Sequence, residues 1–232
     1  MIIFCDFDGT ITDRDSDSEL FREVVDLKGY QEQYRKREMT PRQYWNAVTS
    51  LAPPISDEQF AEFFQTFPID ETFITFAAFC KAHHIPLVIV SDGMEFYIRG
   101  IFAARGIQDL PIFANATTIL DGKISVSFPY ANEHCVGTSA NCKCSHLLKM
   151  SPEDESIVYI GNGTSDRCPA QRSDIVFGKH RLAQFCEEQN IPYHPFKTFD
   201  DVKSQIETYL KKPREYKRSA AEKLRREMWA KE

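Results

Sequence analysis

Several features that mark other protein classes are missing from this sequence of 232 residues. No apolar run approaches the roughly 20 residues that a membrane-spanning helix needs. No basic-then-apolar leader precedes the strand-like segment at Ile2, so a cytoplasmic chain is expected. An excess of positive charge is also absent: the net charge is −6, which argues against a nucleic-acid partner. Seven cysteines, an odd number in a chain without secretory features, are expected to stay reduced rather than to form a disulfide framework. No segment repeats.

Disorder is excluded by what is present. Hydrophobic residues make up 42% of the chain, with 18 Phe and 9 Tyr, enough to bury a core. The length suits one large domain or a core with one inserted module. Charge is uneven: Lys211–Glu232 carries nine Lys or Arg against four Asp or Glu, so the tail is +5 and the remainder −11. An acidic body is a poor host for an anionic ester unless a divalent metal mediates.

The chain is organised around its first dozen residues. Ile2-Ile3-Phe4-Cys5 is a short apolar run of the kind a buried parallel strand shows, and Asp6 and Asp8 follow it. A loop leaving the strand at Gly9 can turn both carboxylates toward one point beyond the strand's C-terminal end, where open α/β sheets keep their ligands. Two acids placed there repel each other unless a cation or a proton lies between them.

Downstream, Leu20, Phe21, Val24, Val25 and Leu27 recur at helical spacing after a polar cluster at 13–18. Tyr30–Met39 extends as a polar helical segment. Thr40-Pro41 opens a helix with Tyr44, Trp45, Val48 and Leu51 on its apolar face, and Pro53-Pro54 ends it. Ser56 to Gln59 resembles a capping box leading into Phe60, Phe63, Phe64 and Phe67, stopped by Pro68. Residues 13–68 thus predict an all-helical insert. From Asp70 a helix leads through His83-His84, which suit its C-terminal end, into a buried strand, Ile85–Val90, that ends in Ser91-Asp92-Gly93. A helix over 94–105, a short strand at Ile112–Ala114 and a hairpin around Asp121-Gly122 come next. A helix from Asn141, strands at Ile157–Ile160 and Asp174–Phe177, and further helix over 180–210 with a short strand near Tyr193 complete the pattern.

The alternation predicts an α/β fold, a doubly wound and mainly parallel sheet interrupted once by the helical insert. The expected division is a core of residues 1–12 and 69–210, a helical cap of 13–68 and a charged C-terminal helix of 211–232. Three strand ends then carry polar clusters that converge at one sheet edge: Asp6 and Asp8, Ser91 and Asp92, Asn162 and Asp166. Three acidic strand ends in one crevice are hard to explain without a metal.

The string Asp6-Phe7-Asp8-Gly9-Thr10 resembles the first motif of the haloacid dehalogenase superfamily of phosphohydrolases. Ser91, Lys143 and the run Gly161-Asn162-Gly163-Thr164-Ser165-Asp166 are similar to its second, third and fourth motifs, in order. The insert after the first strand resembles the cap of the phosphoserine-phosphatase branch. Asp92-Gly93, the Cys-rich approach to Lys143 and the run from Gly161 to Pro169 are similar to the subgroup acting on methionine-salvage keto-phosphates and on phosphoethanolamine or phosphocholine. The resemblance implies that Asp6 attacks phosphorus to give an aspartyl-phosphate, that Asp8 serves as acid and then base, and that Ser91 and Lys143 hold the transferring oxygens. It further implies Mg²⁺ held by Asp6, Asp8, Asn162 and Asp166, with Thr10, Asp17, Asp92 and Gly93 at the substrate. One position departs from the pattern: the fourth motif usually starts Gly-Asp, and here it reads Gly161-Asn162. That change removes one negative charge and leaves Asp166 as either a direct ligand or an orienter of Lys143 or water.

Asp17 and Asp92 also have bland readings, a helix N-cap and a turn residue; together they could accept a cationic head group. His134, Cys135, Cys142, Cys144 and His146 could hold zinc, against packed thiols as the alternative. The expected activity is hydrolysis of a small phosphorylated metabolite by a phosphomonoesterase. Its alternatives are a phosphotransferase using the same intermediate and a catalytically silent phospho-ligand-binding protein. The charged tail is expected to lie at the surface or to mediate self-association into a homodimer.

Overall fold

The computed structural model describes all residues except 25, 133–138, 153, 212–215 and 230–232. The first strand, β1 (Ile2–Cys5), is buried along its whole length. Two short helices follow, α1 (Ser16–Leu20) and α2 (Leu27–Arg35). The continuous helix expected across this region is broken. Asp26 adopts a left-handed backbone (φ 58°), which a right-handed helix cannot continue through. Its carboxylate lies at the α2 N-terminus, so close to Gly29 that a Cβ there would be 2.4 Å away.

The next two helices start and stop as the sequence predicts. Thr40 with Gln43 and Ser56 with Gln59 form reciprocal capping boxes at α3 (Pro41–Leu51) and α4 (Asp57–Thr66). Each ends on an extended residue, Ala52 and Phe67, because a following proline disfavours helical backbone. In α5 (Thr72–Ala82), His83 is the C-cap and His84 is left-handed (φ 54°). The Ile85 N–H bonds back to the Cys80 carbonyl (2.9 Å) and that of His84 to Lys81 (3.2 Å), so these histidines close the helix through backbone geometry.

β2 (Leu87–Met94) runs on through Ser91-Asp92-Gly93 instead of ending before it. Then come α6 (Glu95–Ala103), β3 (Ile112–Leu120) and β4 (Lys123–Ser127). The expected short strand at Ile112–Ala114 and the first hairpin arm are one strand, turning at left-handed Asp121 (φ 49°) and Gly122 (φ 75°). The remaining elements are α7 (Lys143–Met150), β5 (Ile157–Gly161), α8 (Arg167–Arg172), β6 (Ile175–Gly178), α9 (His180–Glu188), β7 (His194–Pro195), α10 (Phe199–Leu210) and α11 (Ser219–Trp229).

Two compact units emerge. The first comprises Met1–Asp13, Ile69–Val90 and Lys143–Glu232. β1 lies at its centre, parallel to β2 on one side (Cys5 opposite Ile89) and to β5 on the other (Cys5 opposite Ile160). β6 and β7 extend this parallel array. Helices α5 and α10 pack through Phe73, Phe76 and Phe199, with ring centroids 4.9 and 5.4 Å apart for the two contacts to Phe199. The tail helix α11 packs on α8: Arg225 pairs with Asp174 (3.2 Å), and the Arg218 guanidinium donates to the Ala170 and Gln171 carbonyls.

The second unit comprises Arg14–Pro68 and Ser91–Cys142. Of the helical segment expected over 13–68, residues 14–68 fall within it, and the described ones form no strand. It also takes in α6, β3 and β4, because α3 lies along β4 and α4 along α6. Phe60, Phe64 and Phe96 pack ring to ring at 5.5–6.3 Å. Arg105 reaches the C-terminal end of α4, donating to the carbonyls of Phe64 (2.9 Å) and Phe67.

Candidate active site

In the first unit the chain leaves β1 in a tight turn. The N–H groups of Thr10, Ile11 and Thr12 all donate to the Phe7 carbonyl (3.1, 2.8 and 3.2 Å), and the Gly9 N–H donates to the Thr12 hydroxyl (2.9 Å). Gly9 is left-handed (φ 70°), and a Cβ there would be 2.2 Å from the Asn162 amide nitrogen. Only glycine meets both demands. The turn thus brings the loop after β1 against the loop after β5, where the Thr10 hydroxyl donates to Asn162 Oδ1 (3.1 Å).

Lys143, the first residue of α7, is 3% exposed. Its Nζ donates to Asp6 Oδ1 and to Asp166 Oδ1, both at 2.7 Å. Asp166 is fully buried and also accepts the Tyr159 hydroxyl (2.5 Å) and the backbone N–H groups of Asn162 (2.9 Å) and Gly163 (2.8 Å). Four donors hold this one carboxylate. Of the two roles the sequence left open, the bonds fit that of holding Lys143 better than that of a direct metal ligand.

Electrostatics follow from this arrangement. Burial, then the charge of Asp166, pushes the Asp6 carboxyl well above its ordinary range, against the pull of Lys143. Asp166 moves the other way: burial opposes ionisation, yet the Lys143 ammonium, the Tyr159 hydroxyl and the Gly163 N–H hold it below the ordinary carboxylate range. Lys143 stays charged despite burial, because Asp166 and Asp6 raise it. Tyr159 is held well above the ordinary phenol value by burial and by the Asp166 charge, so it remains a donor. Asp8 lies half-buried in the same turn.

In the second unit the Ser91 hydroxyl accepts the Gly93 N–H (3.0 Å). The Asp92 carboxylate accepts the Asn141 N–H (2.8 Å), and its carbonyl accepts Trp45 Nε1 (2.9 Å) and Asn115 Nδ2 (2.7 Å). Asn141 in turn donates from Nδ2 to the Ser91 and Phe113 carbonyls, both at 2.7 Å. Asp92 therefore pins the backbone two residues ahead of Lys143. Asp17 is not the N-cap of α1, a place held by Asp15. It accepts the Tyr44 hydroxyl, and burial pushes its carboxyl up to about 6 against that bond. Tyr44 stacks on Tyr34 (5.3 Å) and meets Trp45 edge-on (5.3 Å), so the neighbours Tyr44 and Trp45 link Asp17 to the Asp92 main chain.

The structure therefore brings Asp6, Asp8, Thr10, Lys143, Asn162 and Asp166 together in the first unit, and ties Asp17, Ser91, Asp92 and Gly93 into the second. Sequence reading missed Tyr159, Tyr44, Trp45 and Asn141. For Tyr159 a signal existed: a tyrosine in an otherwise aliphatic core strand needs a partner for its hydroxyl. For the zinc reading, His134 and Cys135 lie outside the described residues. Cys142, Cys144 and His146 are buried, and Cys144 Sγ lies 2.7 Å from that of Cys168.

Among the described residues no three His, Cys, Asp or Glu side chains are grouped to hold a metal. A small hard cation such as Mg²⁺ needs few protein ligands, since it keeps several waters. The donors here fit it: one oxygen of Asp6 is bonded to Lys143, leaving the other for a cation, and the Asn162 carbonyl and the Asp8 main chain supply neutral oxygens. A cation would also offset what lifts the Asp6 carboxyl.

The family model described as Putative Phosphatase matches residues 1–181. The 2-hydroxy-3-keto-5-methylthiopentenyl-1-phosphate phosphatase of Brevibacillus brevis is 28% identical over 206 residues, 87% of this chain and 93% of the relative. Among solved structures, a phosphoserine phosphohydrolase-like protein from Francisella tularensis superposes with a TM-score of 0.64 at 15% identity, covering 88% of this chain and 99% of its own. A phospho-aspartyl intermediate analogue of phosphoserine phosphatase gives 0.64 at 16% identity, covering 89% and 97%.

Proposed function

This chain belongs to the Putative Phosphatase family, and from that premise we propose that it is a Mg²⁺-dependent phosphomonoesterase acting on a small metabolite through an aspartyl-phosphate. The observation that carries the reading is the Asp6–Lys143–Asp166 triad, a buried carboxylate held by a buried ammonium that is itself held by a second carboxylate. Asp6 is the carboxylate that attacks phosphorus. The ammonium beside it faces the charge that develops on the transferring oxygens. The resemblance of its motif assigns Ser91 a hydroxyl for those oxygens. Asp8 protonates the leaving alcohol and then takes the proton of the attacking water, so its two jobs alternate. When bound, Mg²⁺ screens the repulsion between the carboxylate and the anionic ester.

The substrate class we favour is the phosphorylated keto-sugar derivative named for the bacterial relative, supported by similarity along most of both chains. An amino-alcohol phosphate is the second reading, motivated by Asp17 beside the Tyr34–Tyr44 stack, where a cationic head group would meet a carboxylate and ring faces.

The test is hydrolysis of an aryl phosphate and of both metabolite classes, with and without Mg²⁺, against Asp6→Asn. Phosphate release that requires both the metal and Asp6 is expected. Release that survives Asp6→Asn would overturn the mechanism, and inertness toward every ester would return the chain to a ligand-binding role.

A further inference from the structure

One buried hydroxyl beside the triad has no part in the chemistry above. Tyr159 is fully buried in β5 between Val158 and Ile160. Residues 159 and 161 share a strand face, and a Cβ on Gly161 would lie 2.9 Å from the Tyr159 ring and 2.7 Å from the Asp166 carboxylate. The absence of that Cβ lets ring and carboxylate meet. The Tyr159 hydroxyl then donates to Asp166 Oδ1, the same oxygen that accepts Lys143 Nζ. Asp166 Oδ2 is fixed separately by the N–H groups of Asn162 and Gly163.

We propose that Tyr159 is a positioning residue: by fixing Asp166 Oδ1 from the strand side, it fixes the Lys143 ammonium against Asp6. The inference rests on the phosphatase reading. Without the phenol, the carboxylate keeps its two main-chain bonds and can turn about them. Lys143, a point charge on a flexible four-carbon stem, then follows that turn and loses its setting beside Asp6. A displacement of this kind costs rate rather than binding, because it misplaces a charge that the transition state needs.

Tyr159→Phe removes only the hydroxyl. Expected is a fall in kcat of about 10- to 100-fold, with KM within about twofold and a melting temperature close to that of the parent. An unchanged kcat overturns the proposal, as does a loss that only tracks the fraction folded. A second readout needs no turnover: the ¹⁵N resonance of the Lys143 ammonium, identified as the lysine signal absent from Lys143→Arg. It should be sharp in the parent and shifted or broadened in Tyr159→Phe; an identical signal overturns the proposal. If the parent proves inert but this signal depends on Tyr159, the phosphatase reading falls and the positioning role stands. Should Tyr159→Phe not fold, 3-fluorotyrosine labelling replaces it. The Tyr159 fluorine signal should move in Lys143→Arg, and a stationary signal overturns the shared-oxygen geometry.

Discussion

Asn162 shows what a single functional group decides. Its carbonyl accepts the Thr10 hydroxyl and its amide packs against Gly9, so the side chain is fixed by the turn it joins. As an amide it adds no charge to a site that already sets two carboxylates, Asp6 and Asp166, around one ammonium, with the Asp8 charge acting on Asp6. Asn162→Asp should therefore act in two directions. The concentration of Mg²⁺ for half-maximal activity should fall about tenfold, a modest share of what one added charge can supply near a protein surface. In chelator, the variant should melt below the parent, since the extra carboxylate then meets only its own sign. Metal titration of activity and of melting temperature checks both. The aspartates, Ser91, Lys143 and the Gly-Asn-Gly run were legible because each falls at a strand end or helix start that the pattern of apolar runs locates. Tyr159 was legible only as a hydroxyl in need of a partner, because that partner is an oxygen seven residues away that only the folded loop brings within reach.

Helix boundaries were legible wherever the signal is a side chain bonding to its own backbone within a few residues. Thr40 with Gln43, Ser56 with Gln59 and the following prolines are cases of this kind. The break between α1 and α2 was hidden, since Asp26 in a left-handed conformation looks in sequence like any polar helical position. The end of α4 was legible from Pro68, but not the donor that finishes it: its orphan carbonyls are satisfied by Arg105, from the segment that follows α6. Arg105→Ala leaves the Phe64 and Phe67 carbonyls without that donor and should destabilise the fold by about 2 kcal/mol. Urea denaturation with an unchanged m-value would show it, whereas an effect below about 0.5 kcal/mol would mean that water replaces the guanidinium.

Across the whole molecule, the division into units was the part least written in sequence. Segments 14–68 and 91–142 pack together through the faces of α3, α4, α6 and β4, and which amphipathic faces meet is not a local property. The sequence predicts the tail as a charged helix at the surface or a self-association element. In the structure Arg218 and Arg225 dock on α8 and Asp174, and Ala221 is fully buried. The tail lies beyond residues 1–181, the part that matches the family, yet it braces the short helix that follows Asp166. Truncation after Leu210 should therefore lower the melting temperature by at least about 2–4 °C, the shift that roughly 1 kcal/mol gives in a chain of this size. Activity should fall with it, and a truncated chain equal to the parent in both would show the docking to be idle.

The central place of β1 also bears on the order of events at the ribosome. Cys5 pairs with Ile89 and with Ile160, so the strand leading to Asp6 is made before either of its neighbours and gains the second only after the segments of both units that lie between them. At about 5–20 residues per second, this apolar segment waits roughly ten seconds or more for that second neighbour. Through that interval the nascent chain holds an unpaired sheet edge, and shielding it is a task for chaperones rather than for the finished fold.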